Sequence, residues 1–119
     1  MSVAKVGAVV LDCPDPRTLA GFYAGLVGGT VVDEGEWVDL KVDGGPTLAF
    51  QAAPGYVAPE WPSAERSQQF HLDLTVEDLD AAEKEALALG ARPLDADDRS
   101  RTFRVYADPA GHPFCLCAC

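Results

Sequence analysis

Basic residues are scarce in this 119-residue chain: nine Lys and Arg stand against 19 Asp and Glu, a formal net charge of −10. Such a surface repels phosphate backbones and anionic lipid heads, which argues against nucleic acid and membrane partners. Long apolar runs are missing as well. The opening MSVAKVGAVVLD is too short in its apolar part for a signal peptide and is ended by Asp12. No stretch approaches the about 20 apolar residues of a spanning helix. A cytoplasmic protein is the expectation. The familiar catalytic signatures are absent too: there is no G-x-S-x-G elbow, no Walker loop and no G-x-G-x-x-G after a strand.

Cysteine is limited to four residues, and three of them, Cys115, Cys117 and Cys119, alternate in the closing DPAGHPFCLCAC. The spacing is C-x-C-x-C and not the C-x-x-C of redox loops or zinc ribbons. In a reducing compartment thiols are the default state. Neighbouring same-face residues of a strand lie ~7 Å apart, so these three alone make a poor metal site. What the stretch does depends on the residues opposite it.

Hydrophobic residues make up 48% of the chain, enough for one compact domain over residues 1–119. Strand-like runs occupy 6–12, 36–42, 47–51, 69–76, 102–107 and 113–118, with shorter candidates at 30–33 and 92–95. Two helices interrupt them. In DPRTLAGFYAGLVGG, Asp15 is a natural N-cap, Pro16 suits the first helical position and Gly28-Gly29 end the helix. In TVEDLDAAEKEALALG, Thr75 and Asp78 fit a capping box and Gly90 is the stop.

The two helical segments repeat one plan. Laying one over the other puts Asp15 on Asp78 and Leu26 on Leu89, an offset of 63 residues. The chain therefore reads βαβββ twice, as module 1 (about 3–52) and module 2 (about 69–119). The Pro-, Ser- and Ala-rich segment 53–68 joins them as a linker. An α+β fold is the expectation.

With DCPDP…FY at the first helix, QFHLDLTVEDLDAAE at the second and DPAGHPFCL at the last turn, the chain resembles the vicinal oxygen chelate superfamily. The nearest likeness is to its glyoxalase-like and bleomycin-resistance-like members. The resemblance implies eight strands curled into an open cup with helices outside, and a homodimer. It also implies a divalent metal held by four cup-facing positions. In this chain those positions fall on Ala8, on Ala49 or Gln51, on His71 and on Cys115.

Alternation sorts the strands into two faces. One face, Val9, Leu11, Val38, Leu40, Leu48, Phe50, Phe70, Leu72, Leu74, Phe103, Val105, Phe114 and Leu116, is expected against the helices. The other collects Ala8, Val10, Asp12, Trp37, Asp39, Lys41, Ala49, Gln51, Gln69, His71, Asp73, Thr75, Arg104, Tyr106 and the three alternating cysteines. A partly apolar wall with a few convergent polar groups suits a small-molecule pocket; a merely solvated face is the plain alternative. The candidate ligand-binding residues are Trp37, Gln51, His71, Asp73, Arg104, Tyr106 and Cys115, with Arg104 placed to hold an anionic group. His71 and Asp73 are the candidate acid–base pair, Asp73 orienting the imidazole. Tyr56 and Trp61 of the linker could stack on a planar ligand, or Trp61 could pin the linker to the core. His112 is read as a hydrogen-bonding residue of the turn after Asp108.

Ala8 and the neutral amide of Gln51 leave a two-point site of His71 and Cys115, so no tightly bound cofactor or metal is expected. Recruitment of Asp73 or Cys117 would make a divalent metal possible. The leading function is binding or sequestration of a small organic molecule, of natural-product or antibiotic type. A lyase, isomerase or dioxygenase of the same superfamily is the alternative, and an interaction module with a filled cup is the third reading.

Overall fold

The computed structural model describes residues 2–3, 5–63, 65–67 and 70–118. The chain divides into two compact units, Met1–Tyr56 and Val57–Cys119. In the first, β1 (Ala8–Cys13) leads to α1 (Pro16–Val27), β2 (Thr30–Asp33), β3 (Trp37–Lys41) and β4 (Thr47–Ala52). In the second, β5 (Leu72–Thr75) leads to α2 (Leu79–Leu89), β6 (Arg92–Asp95), β7 (Phe103–Ala107) and β8 (Pro113–Cys117). Each unit is thus βαβββ, an α+β arrangement with one open, mixed, four-stranded sheet. The strand orders are β1-β4-β3-β2 and β5-β8-β7-β6. In both, the first strand runs parallel to the last and the other pairs are antiparallel.

The repeat shows most clearly at the helix starts. Asp15 accepts from the Arg17 and Thr18 amides, and Asp78 from the Asp80 and Ala81 amides. Each cap satisfies amides that a helix start otherwise leaves unpaired, worth about 1 kcal/mol. Thr75 is not part of the second cap: it ends β5, and Asp78 is itself the N-cap.

The helices differ in what they cover. α1 buries Leu19, Ala20, Phe22 and Tyr23, and Tyr23 stacks on Phe50 of β4 with ring centroids 5.7 Å apart. Removing such side chains from water contributes about 1.5–3 kcal/mol each. α2 fully buries only Ala86 and carries Asp80 and Glu83 on the flank that meets its sheet.

That polarity reverses one expectation. Arg104 and Tyr106 do not share a face with Cys115. Arg104 is 4% exposed and donates to Asp80 (2.9 Å) and Glu83 (3.4 Å), and the Tyr106 hydroxyl donates to Glu83. In the β7–β8 register they oppose Leu116 and Phe114, whereas Val105 and Phe103 oppose Cys115 and Cys117. The apolar-inward rule fails on β7 because the helix it faces presents carboxylates. Phe70, expected against a helix, is 89% exposed and precedes β5. Gln69 and Cys119 lie outside the described residues.

The turn DPAGH between β7 and β8 is built by Asp108, which is buried. Its side chain accepts from the Ala110 and His112 amides, and its carbonyl from the Gly111 amide. Gly111 has φ +90, and a Cβ there would sit 2.6 Å from the Ala58 Cβ, so only glycine fits.

Glu83 is the hub of the α2 network. Arg99 donates to both of its carboxylate oxygens, at 3.0 and 3.1 Å. The Arg99 bond first, then the Tyr106 bond, hold Glu83 below its ordinary 4.5. A lowered folded-state value stabilises above the unfolded value and is lost as pH falls through the folded one. Glu83→Gln is expected to cost about 1–3 kcal/mol at neutral pH. It should also flatten the loss of stability below about pH 4.5, read by urea unfolding across pH; an unchanged slope would contradict the network.

Candidate functional site

The parallel pairing of β5 with β8 sets Asp73 opposite Cys115 and Thr75 opposite Cys117. Paired residues of adjacent strands, about 4.8 Å apart, point to the same face. His71, two residues before Asp73, shares that face. Its Nε2 lies 3.1 Å from the Asp73 Oδ1. The Cys115 thiol lies beneath the pair, only 5% exposed. His71 and Asp73 are open above it, with side chains 36% and 64% exposed. One nitrogen, one carboxylate oxygen and one sulfur from these three residues all lie within 4.8 Å of one another.

The surroundings come from the same unit. The Trp61 ring meets the His71 ring edge-on, centroids 6.4 Å apart, so the linker tryptophan borders the site. Asp95 of β6 opposes Val105, continuing the Cys115 row across the sheet. It holds Arg101 through both carboxylate oxygens, at 2.8 and 3.3 Å, and the guanidinium lies 4.5 Å over the Phe103 ring. Burial first, then the Asp73 carboxylate, push the Cys115 thiol up to about 11, and the Arg101 charge opposes this. The thiol therefore stays protonated at neutral pH and donates to Asp73. It is a poor nucleophile but a potential ligand once the proton leaves.

The structure thus gathers His71, Asp73 and Cys115 and leaves other candidates elsewhere. Trp37 and Gln51 oppose each other on β3 and β4 of the first unit, and the Trp37 indole donates to Asp39 at 2.8 Å. Arg104 and Tyr106 are committed to α2. Of the two routes to a further metal donor, Asp73 reaches Cys115 and His71, whereas Cys117 is disulfide-bonded, which corrects its reading as a thiol. Cys13 and Cys115 are not disulfide-bonded, and the Cys13 thiol donates to the Gln51 carbonyl at 3.7 Å. Arg101 and Asp95 escaped sequence reasoning, and Phe103 was expected against the helices but lies on the cysteine face. The β7–β8 register, which places Phe103 and Val105 on the cysteine face, is the signal that would have found them.

The contact between Asp73 and Cys115 has a direct chemical readout. Asp73→Asn removes a charge that favours the thiol, so Cys115 is expected to ionise at lower pH. Arg101→Gln should move it the other way. The pH profile of iodoacetamide alkylation at Cys115, followed by peptide mass spectrometry, checks both signs; two unshifted profiles would contradict the arrangement.

Among the described residues no helix is long and apolar enough to cross a membrane. No curated protein matches the chain. Among solved structures, it is similar to a glyoxalase/bleomycin resistance protein/dioxygenase family enzyme from Burkholderia phytofirmans PsJN. The TM-score is 0.75 at 17% identity, over 95% of this chain and 97% of that one. It is similar to TnmS3, an antibiotic binding protein from Streptomyces sp. CB03234, with TM-score 0.61 at 16% identity over 98% and 97%. It is also similar to the fosfomycin resistance protein FosX from Listeria monocytogenes, solved with Mn(II) and 1S,2S-dihydroxypropylphosphonic acid. There the TM-score is 0.70 at 14% identity over 99% and 91%. A family model described as a glyoxalase-like domain matches residues 8–117. The repeated βαβββ units and this match, which spans nearly the whole chain, make the protein a member of the glyoxalase-like family.

Proposed function

We propose that the chain binds a small organic molecule of natural-product or antibiotic size on the face of the second sheet that carries Cys115. The observation that carries this reading is the exposed His71–Asp73 pair bordered by the Trp61 ring. An aromatic edge beside hydrogen-bonding groups suits a planar, polar ligand. Arg101, over Phe103 and beside Asp95, supplies the cationic group that Arg104 cannot. Trp37 and Gln51 offer a second aromatic-and-amide pair on the first unit. The likeness to an antibiotic binding protein and to a fosfomycin resistance protein supports the ligand class. A homodimer belongs to the same proposal, supported by the edge strand β2, whose Val31 and Val32 are exposed.

The His71–Asp73 contact also supports a second reading, an enzyme of lyase, isomerase or dioxygenase type in which this pair moves a proton. A thermal-shift screen against metabolites and aromatic antibiotics, followed by mass spectrometry of each hit after incubation, separates the two. A ligand at 100 times its dissociation constant adds about 2.7 kcal/mol to stability, a rise of several degrees. That rise should be lost in Trp61→Ala and His71→Ala. A compound recovered unchanged supports binding, and one converted supports catalysis. No shift with any class would overturn both readings and favour an interaction module.

A further inference from the structure

We propose that His71, Asp73 and Cys115 hold a thiophilic divalent ion, zinc foremost, with donors drawn from the second unit alone. This goes beyond the small-molecule reading and stands without it.

The family resemblance implies a divalent ion, so the residues present have to be tested against one. Imidazole nitrogen, carboxylate oxygen and thiolate sulfur are the three common donor types of zinc sites. Tetrahedral zinc with bonds of about 2.0–2.3 Å sets its donors roughly 3.3–3.8 Å apart. Here the donor atoms already lie within 4.8 Å of one another, with the His71 and Asp73 atoms at 3.1 Å. Small rotations of the two exposed side chains close the remainder over the fixed sulfur. The residues fit.

Trp61 packs edge-on against the His71 ring and limits its swing. Three protein donors leave one position of a tetrahedral ion open, as in catalytic rather than closed structural sites.

The donor set also decides which ion. The FosX structure holds Mn(II), a hard ion suited to oxygen donors. A thiolate ligand moves preference toward zinc and cobalt and away from manganese. The repeat adds an independent sign that the site belongs to one unit. The 63-residue offset carries His71 and Asp73 onto Ala8 and Val10, and Val10 pairs with Ala49 as Asp73 pairs with Cys115. The first copy is apolar at all three places.

The test uses full-length, untagged, chelator-treated protein titrated with Co(II) alone. A thiolate-to-cobalt charge-transfer band at one ion per chain is expected, displaced by Zn(II) but not by the same concentration of Mn(II). Cys115→Ser should abolish the band. His71→Ala and Asp73→Asn, which alter exposed side chains, should each weaken binding by more than the roughly 100-fold upper end seen for outer-shell partners. These two variants carry the test even if Cys115→Ser fails to fold. A missing band, a band that survives Cys115→Ser, unchanged affinity in both other variants, or displacement by Mn(II) as readily as by Zn(II) would overturn the proposal.

Discussion

The site rests on one constraint, the parallel pairing of β5 with β8. A parallel pair joins residues far apart in sequence, and here it lays Asp73 beside Cys115, forty-two positions later in the chain. A slip of one residue would turn the Cys115 side chain to the opposite face and leave His71 and Asp73 without a sulfur. The register is held from both sides. Leu72 and Leu74 pair with Phe114 and Leu116 on the α2 face, and β8 is fully buried between β5 and β7. The Asp108 turn fixes where β8 begins.

The two units show how one backbone plan hosts different work. β1 pairs with β4 as β5 pairs with β8, and both helices start on a capping aspartate. Yet α1 lays an aromatic cluster on its sheet, while α2 meets its sheet through Asp80, Glu83, Arg104 and Tyr106. A buried guanidinium needs carboxylate partners in a low-dielectric setting, and α2 provides two. With Arg104 and Tyr106 turned to the helix side, the apolar β7 residues Phe103 and Val105 fall on the other face. They join Cys115 there and supply the ring under Arg101.

Much of this was legible in the sequence. The capping aspartates, the glycine stops, the 63-residue repeat and the strand positions come from local chemistry, which a linear reading captures. Candidate site residues were legible where alternation is simple: His71, Asp73 and Cys115 share a face as expected. Arg104 and Tyr106 were misplaced because strand alternation tells which residues go together but not which set faces the helix. Hydrophobicity usually decides that, and a charged helix flank inverts it. Asp73 was read as orienting His71 and as a donor that a metal could recruit, but its direct contact with Cys115 depends on a long-range register that no local pattern encodes.

The central claim, that the β5–β8 register gathers His71, Asp73 and Cys115 into one ion-binding site, is tested most directly by anomalous diffraction at the zinc edge from zinc-soaked crystals. The expected result is a single strong peak bonded at about 2.0–2.3 Å to a His71 nitrogen, an Asp73 oxygen and the Cys115 sulfur. A peak on residues of the first unit, or a β8 register that turns Cys115 away from Asp73, would contradict it.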